Sequence, residues 1–238
     1  MGCLMLNIWI FAVAIIAGCV MGWAVSFYSG YRVAVGPEED ERDPVEVRKS
    51  YKWRVDSPEA KIIPAAAVLW VLFAALMPDD ILKWILYSAA AVILLGVSFV
   101  DWEIFEIPPL YDILIAVLGA VRLFTDLSHW YEYATGAVTV SGLFLLIALA
   151  SKGRAMGGGD IKLTAAMGLL LGWQQILMVM TFGALLGAVI HGILMAVTKK
   201  EHMLAFGPYL AAAGIIVMCA GERILNWYMG YLTATLNG

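Results

Sequence analysis

Six long apolar stretches, separated by short polar segments, dominate the chain. A hydrocarbon core about 30 Å thick takes roughly 20 helical residues at 1.5 Å each. Leu4 to Tyr28 is therefore the first span. Ser29 to Lys61 follows as a polar loop in which Pro37, Pro44 and Pro58 break any long helix. Ile62 to Val100 would reach about 58 Å as one helix, too far for a single crossing. Met77-Pro78-Asp79-Asp80 divides it into two short spans. Leu110 to Phe124 and Tyr133 to Ala150 form a helical hairpin across Thr125 to Glu132, where Asp126, Ser128 and His129 suit a loop and Trp130 and Tyr131 suit an interface. Leu163 to Val197 carries no Lys, Arg, Asp or Glu and would reach about 52 Å, so it must turn, at Gly172-Trp173-Gln174-Gln175. Phe206 to Ala220 is the eighth span, leaving Gly221 to Gly238 as an interfacial tail. The pattern predicts an all-α polytopic membrane helix bundle with about eight transmembrane helices and one short cytoplasmic loop region.

Composition agrees. The 238 residues are 62% apolar and only 14% charged, with a mean hydropathy of +0.85, against about 45–50% apolar in soluble domains. Water-soluble binding modules drop out, and a net charge of −4 argues against a protein that lives on phosphate contacts. Cys3, Cys19 and Cys219 form no C-x-x-C pair, which speaks against a zinc site or a disulfide framework and for small packing residues. The first apolar run has no basic segment before it and no small-residue cleavage site after it, so it reads as a retained span. Leu6 stands where a myristoylation motif needs Ser or Thr. Gly18-x-x-x-Gly22 reads as a close helix-packing face.

Eight spans put both termini on one side. With the 29–61 loop inside, twelve of the fifteen basic residues fall inside as well, leaving Lys83, Arg122 and Arg223 outside. That bias places the loop and the segments 101–109, 151–162 and 198–205 in the cytoplasm, and both termini outside.

Charge is so scarce that two acids at span ends on that side stand out. Asp101 closes the third span in Val100-Asp101-Trp102-Glu103, and Asp160 opens the sixth in Gly157-Gly158-Gly159-Asp160-Ile161-Lys162. The hairpin between them returns both to the same membrane face. Two neighbouring carboxylates cannot both ionise cheaply, so one keeps a proton. The charged one then activates a water and the protonated one stabilises the developing oxyanion, which is aspartyl protease chemistry without metal or cofactor. The three glycines would let a substrate backbone approach closely. Topology alone leaves a second reading open, in which both aspartates are interfacial charges flanking spans. A phosphate loop is excluded by the wrong Gly-to-Lys spacing and by Asp160 itself. His129, His191 and His202 are not spaced as metal ligands. Asp112, a turn into the fourth span, is an alternative partner for Asp160 or an acid that snorkels to the interface.

At these residues the chain resembles the type IV prepilin leader peptidases, membrane aspartyl proteases with a Gly-x-Gly-Asp signature. Gly157-Gly158-Gly159-Asp160-Ile161-Lys162-Leu163, followed by Gly168 and Gly172-Trp173, is similar to the family's second aspartate motif. Asp101, Glu103 and Pro108 keep the spacing of the first, and Phe206-Gly207-Pro208-Tyr209-Leu210 resembles the family's Phe-Gly-Pro-Phe-Leu. The resemblance implies Asp101 and Asp160 as the catalytic pair, with Gly157, Gly158, Gly159, Lys162, Glu103 and Pro108 shaping the site or binding substrate. It implies prepilin or pseudopilin substrates of type IV pilus or protein secretion systems, whose short basic leader is cut at the cytoplasmic face of the inner membrane. Residues 62–238 would form the peptidase domain, with 1–61 a reduced first span and loop. Glu38-Glu39-Asp40-Glu41 would attract a basic leader, or serve only as a solvated loop.

The chain also departs from the family pattern. Many members carry two C-x-x-C pairs in the first cytoplasmic loop and methylate the new amino terminus with S-adenosylmethionine; this loop has no cysteine. Ala65, Ala66 and Ala67 follow Pro64 where the family has an acid, and Pro109 stands where it usually has Asp or Asn. Proteolysis needs no cofactor, while S-adenosylmethionine-dependent methylation stays open as a second activity. Two other readings use the same residues. A small ion-coupled transporter predicts acids at midplane in broken spans. A presenilin-like peptidase shares Gly-x-Gly-Asp, and Tyr111-Asp112 mimics its Tyr-Asp pair, but its Pro-Ala-Leu motif is missing near the last span.

Overall fold

The computed structural model describes residues 2–36, 51–198 and 205–236, with only the backbone at 2–8, 198 and 236. Eight α-helices occur among them: α1 Gly2–Val35, α2 Ile62–Leu76, α3 Ile81–Ile104, α4 Pro109–Thr125, α5 Trp130–Ala150, α6 Gly158–Leu171, α7 Trp173–Thr198 and α8 Gly207–Leu236. Short 3₁₀ turns at Pro58–Lys61 and Leu127–His129 lead into α2 and α5. The described residues include no strand.

The turns fall where the polar residues put them. Asp80 caps α3, its carboxylate accepting the Lys83 N–H at 2.9 Å, which satisfies one of the orphan donors of a helix start. Asp126 gathers the α4–α5 connection, accepting from Ser128 at 2.7 Å and from Tyr133 at 2.9 Å. Gly172, at φ 84°, ends α6 in a conformation that a Cβ would disfavour, and α7 starts one residue on.

Six of the eight helices are long and apolar enough to cross a membrane; α1, α3, α7 and α8 qualify, as do α2 and α5 with their leading turns. The other two are shorter than a span. With 17 and 14 residues, α4 and α6 reach only about 26 Å and 21 Å. Many side chains on the outside are apolar, among them Trp9, Val138, Leu146 and Val197, as a lipid-facing surface requires.

At both ends of the chain the helices run further than the hydropathy suggests. The first was expected to stop at Tyr28, yet α1 continues to Val35 because its polar residues find tertiary partners. Ser29 shares a 2.6 Å hydrogen bond with the Tyr111 hydroxyl, and Arg32 donates to Glu106 at 3.1 Å. The last was expected to end near Ala220 with an interfacial tail beyond it. Instead α8 continues to Leu236, anchored by a Lys83 to Glu222 ion pair and carrying a stacked Trp227 and Tyr231.

The central element is α3, whose Ala90, Ala91, Val92, Leu94, Val97 and Val100 are all buried. It packs on α1, α2, α4 and α8, while α6 lies against α4 and α5. Glycines bring the backbones together. A Cβ at Gly18 would lie 2.7 Å from the Ala67 Cα, and one at Gly22 would lie 2.8 Å from the Ala66 Cβ, so the Gly-x-x-x-Gly face packs α1 on α2 as expected. A Cβ at Gly168 would fall 2.1 Å from the Gly136 carbonyl oxygen, which fixes α6, the helix that carries Asp160, against α5.

Candidate active site

Asp101 sits in the last turn of α3. The helix closes at Phe105, which holds a left-handed conformation (φ 56°, ψ 34°) and donates its N–H to the Asp101 carbonyl. Such a conformation costs a side-chain-bearing residue about 1–2 kcal/mol. Pro108 then precedes α4 with an extended backbone, and Pro109 starts the helix with its ring already at a helical φ. The chain thereby turns back within eight residues of the aspartate.

The Asp101 side chain points into the bundle, and the residue is 6% exposed. Its Oδ2 accepts the backbone N–H of Gly207, the first residue of α8, at 3.0 Å. A helix start presents unsatisfied N–H groups and favours negative charge there. A Cβ at Gly207 would come within 2.7 Å of the same oxygen, so no larger residue fits without moving the carboxylate or the start of α8.

Asp160 lies in the first turn of the short α6, outside the six long apolar helices. It reaches back to the N–H of Gly157, the residue that caps the helix, in the manner of a capping box. Burial and the negative charge of Asp101 push its carboxyl up to about 7, while the Gly157 N–H pulls it down. The two acids therefore sense each other although 59 positions separate them in the chain.

Both line the same two cavities. One, of 620 Å³, is bounded also by Arg154, Met156 and Phe206. The other, of 300 Å³, is bounded by Glu106, Pro109, Gly157, Gly158, Gly159 and Lys162. Of the remaining residues expected at the site, Pro108 is buried at the start of α4, whereas Glu103 is exposed and lines neither cavity. The glycines serve different ends. A Cβ at Gly159 would press within 3.0 Å of Ile107 and one at Gly157 would lie 3.2 Å from Asp160 Oδ2, while Gly158 has open space around it. Room for an approaching backbone is thus a property of Gly158.

Asp112 stands beside the pair, near enough for the charge of Asp160 to raise its carboxyl. It is 6% exposed, lines a separate cavity, and neither carboxylate oxygen has a hydrogen-bond partner. His129 is exposed and bonded to Asp126, and His191 is partly buried within α7. Cys19 and Cys219 are free thiols, partly buried. Glu38 to Glu41, His202 and the Cys3 side chain lie outside the described residues. Among the described residues no cluster of three or more His, Cys, Asp or Glu side chains is placed to hold a metal ion. Three features of the site escaped the sequence reading: the Gly207 N–H, the Arg32–Glu106 pair at the rim and Arg154. Only Gly207 carried a signal, as part of Phe206-Gly207-Pro208, and that signal had no role attached.

Residues 88–192 match the model of the type IV leader peptidase family, a range that includes both aspartates. The chain is similar to the prepilin leader peptidase/N-methyltransferase of Aeromonas salmonicida, 32% identical over 178 residues, covering 70% of this chain and 52% of the relative. It is likewise similar to the protein of that name from Legionella pneumophila, 31% identical over 155 residues, with 62% and 54% covered. For that of Bacillus subtilis the identity is 35% over 115 residues, with 47% and 46% covered. The chain thus spans about half the length of these curated relatives. No solved structure matches it.

Proposed function

We propose that the chain is a member of the type IV leader peptidase family, whose model matches residues 88–192, and that it is a membrane-embedded aspartyl endopeptidase. Its substrates are type IV prepilins or pseudopilin-like proteins, from which it removes the short basic leader at the cytoplasmic face of the inner membrane. One observation carries the reading: Asp101 and Asp160 line the same two cavities at one end of the bundle. The ends of helices, not the middles of broken spans, hold these acids, which favours a peptidase over a transporter.

The environment divides the roles. The Gly207 N–H holds Asp101 Oδ2 in place, and the negative charge of Asp101 together with burial raises the carboxyl of Asp160, so that the proton of the pair sits on Asp160. A water between them gives its proton to the Asp101 carboxylate as its oxygen attacks the scissile carbonyl. Asp160 donates its proton to the carbonyl oxygen, and the tetrahedral diol collapses as Asp101 passes its proton to the departing nitrogen and Asp160 takes back the hydroxyl proton. The orientation rests on charge: Arg154 and Lys162 stand at the aspartate end, whereas Lys83 and Arg122 pair with acids at the other.

The test is to incubate the purified full chain with a prepilin and read the product mass. A leader-sized loss is expected from the wild type and none from Asp101→Asn or Asp160→Asn; full cleavage by either variant overturns the assignment. Methyl transfer belongs to the names of the relatives, and the same assay with S-adenosylmethionine would register it as the added mass of a methyl group.

A further inference from the structure

We propose that the cavity beside Asp112 is a subsite that takes a lysine or arginine side chain of the substrate, with Asp112 as its anion. This rests on the peptidase reading above and extends it to a specificity-determining residue.

The cavity measures 510 Å³ and lies between α4, α5 and α6. Its walls are small and apolar, with Ala116 on α4, Ala137 on α5, and Ala165 and Leu169 on α6. Asp112 is the acid in this lining, and it is more than nine-tenths buried with both oxygens unpartnered among the described residues. A buried carboxylate with no donor is destabilising, and burial of this kind is tolerated where a ligand completes the site. The chemistry of the walls says which ligand. Small apolar side chains accommodate an aliphatic stem, and the carboxylate at its end matches an ammonium or guanidinium group.

Position connects the cavity to the reaction. It shares Pro109 and Lys162 with the 300 Å³ cavity that holds Asp101 and Asp160, so a peptide lying across the catalytic pair places a neighbouring side chain at Asp112. Lys162 is exposed at this shared rim and makes no ion pair within 4.0 Å of Asp112 among the described residues. From that distance its positive charge and the negative charge of Asp160 act on the Asp112 carboxyl in opposite senses, and both oxygens stay open.

Steady-state cleavage by the full-length protein provides the test. The substrate is a prepilin whose lysines and arginines near the cleavage site are replaced one at a time by glutamine. Neutralising the residue that occupies the subsite should raise KM at least tenfold for the wild type. Asp112→Asn should raise KM for the unaltered substrate by a similar factor, and the two changes together should cost no more than either alone. The substrate-side arm needs no altered protein, so it reads even if Asp112→Asn folds poorly. Additive effects, an unchanged KM in the substrate series, or a loss of kcat regardless of substrate charge would each overturn the subsite. If Asp101→Asn abolishes cleavage while neutralised substrates are cut as before, the peptidase stands and the subsite falls. A wild type that cuts no prepilin overturns both.

Discussion

At the end of the bundle where α3 begins, Lys83 pairs with Glu222, Arg122 lies 4.0 Å from Asp80, and Asp126 accepts hydrogen bonds from Ser128, His129 and Tyr133. At the end where α3 stops, Asp101, Asp160 and Asp112 are gathered with no ion pair to any of them among the described residues. The same few charges are used in two ways. Paired, they close a polar end cheaply in a low-dielectric setting. Unpaired and partly dehydrated, acids are able to hold protons and to bind groups that the protein itself does not supply, a condition that active sites share.

This contrast predicts what substitutions at the two ends do. The largest effect falls on the aspartates. Asp101→Asn and Asp160→Asn should each reduce cleavage by roughly a thousandfold or more, and the double variant should be no worse than either single one, because the two act as a unit. Rates from the purified double variant that fall well below both singles would break the pair into independent contributors.

Next in size is the response to pH. Burial and the charge of Asp101 raise the Asp160 carboxyl to about 7, so the protonated form dominates below that value and is lost as the pH rises through it. Cleavage should therefore decline on the alkaline side, by about tenfold per pH unit well above neutrality. A flat profile from pH 6 to 9 would remove the shared proton from the mechanism.

A smaller effect is expected at Gly207. Alanine there places a Cβ 2.7 Å from Asp101 Oδ2 and must displace either the carboxylate or the start of α8. The loss of one hydrogen bond to a charged group corresponds to roughly 1.5–3 kcal/mol, or about 10- to 100-fold in rate, with helix content by circular dichroism unchanged.

The opposite end should leave catalysis alone. Lys83→Met removes the partner of Glu222, and because Glu222 is half exposed the cost should be about 1–2 kcal/mol of stability. It should appear as a lower melting temperature in detergent, with the rate per folded molecule preserved. A rate loss comparable to that of Gly207→Ala would erase the distinction between the two ends.

Much of this was legible along the chain. Apolar runs too long for one crossing had to turn, and they turn at Asp80 and Gly172, while the hairpin loop between two shorter runs is gathered by Asp126; these residues cap, adopt a positive φ or accept hydrogen bonds. The meeting of Asp101 and Asp160 at shared cavities was legible as well, because acids are rare near apolar helices and the intervening hairpin returns the chain to the same end. Helix ends were harder to read. Ser29 and Arg32 look like the start of a loop until Tyr111 and Glu106, more than 70 positions away, satisfy them. The length of α4 and α6 misled in the other direction, since hydropathy records apolar content and not whether a short helix is packed inside a bundle.

By itself the sequence determined the eight helices of the described residues, most of their turns and which two acids meet at one end of the bundle, because hydropathy, glycine and proline act locally and charge is conspicuous where it is scarce. Only the tertiary structure decided which backbone N–H meets Asp101, that Glu103 faces away, and that Asp112 is buried beside its own cavity without a partner. Those outcomes depend on how helices far apart in the chain pack together, and hydrogen bonding and burial of a carboxylate are properties of that packing.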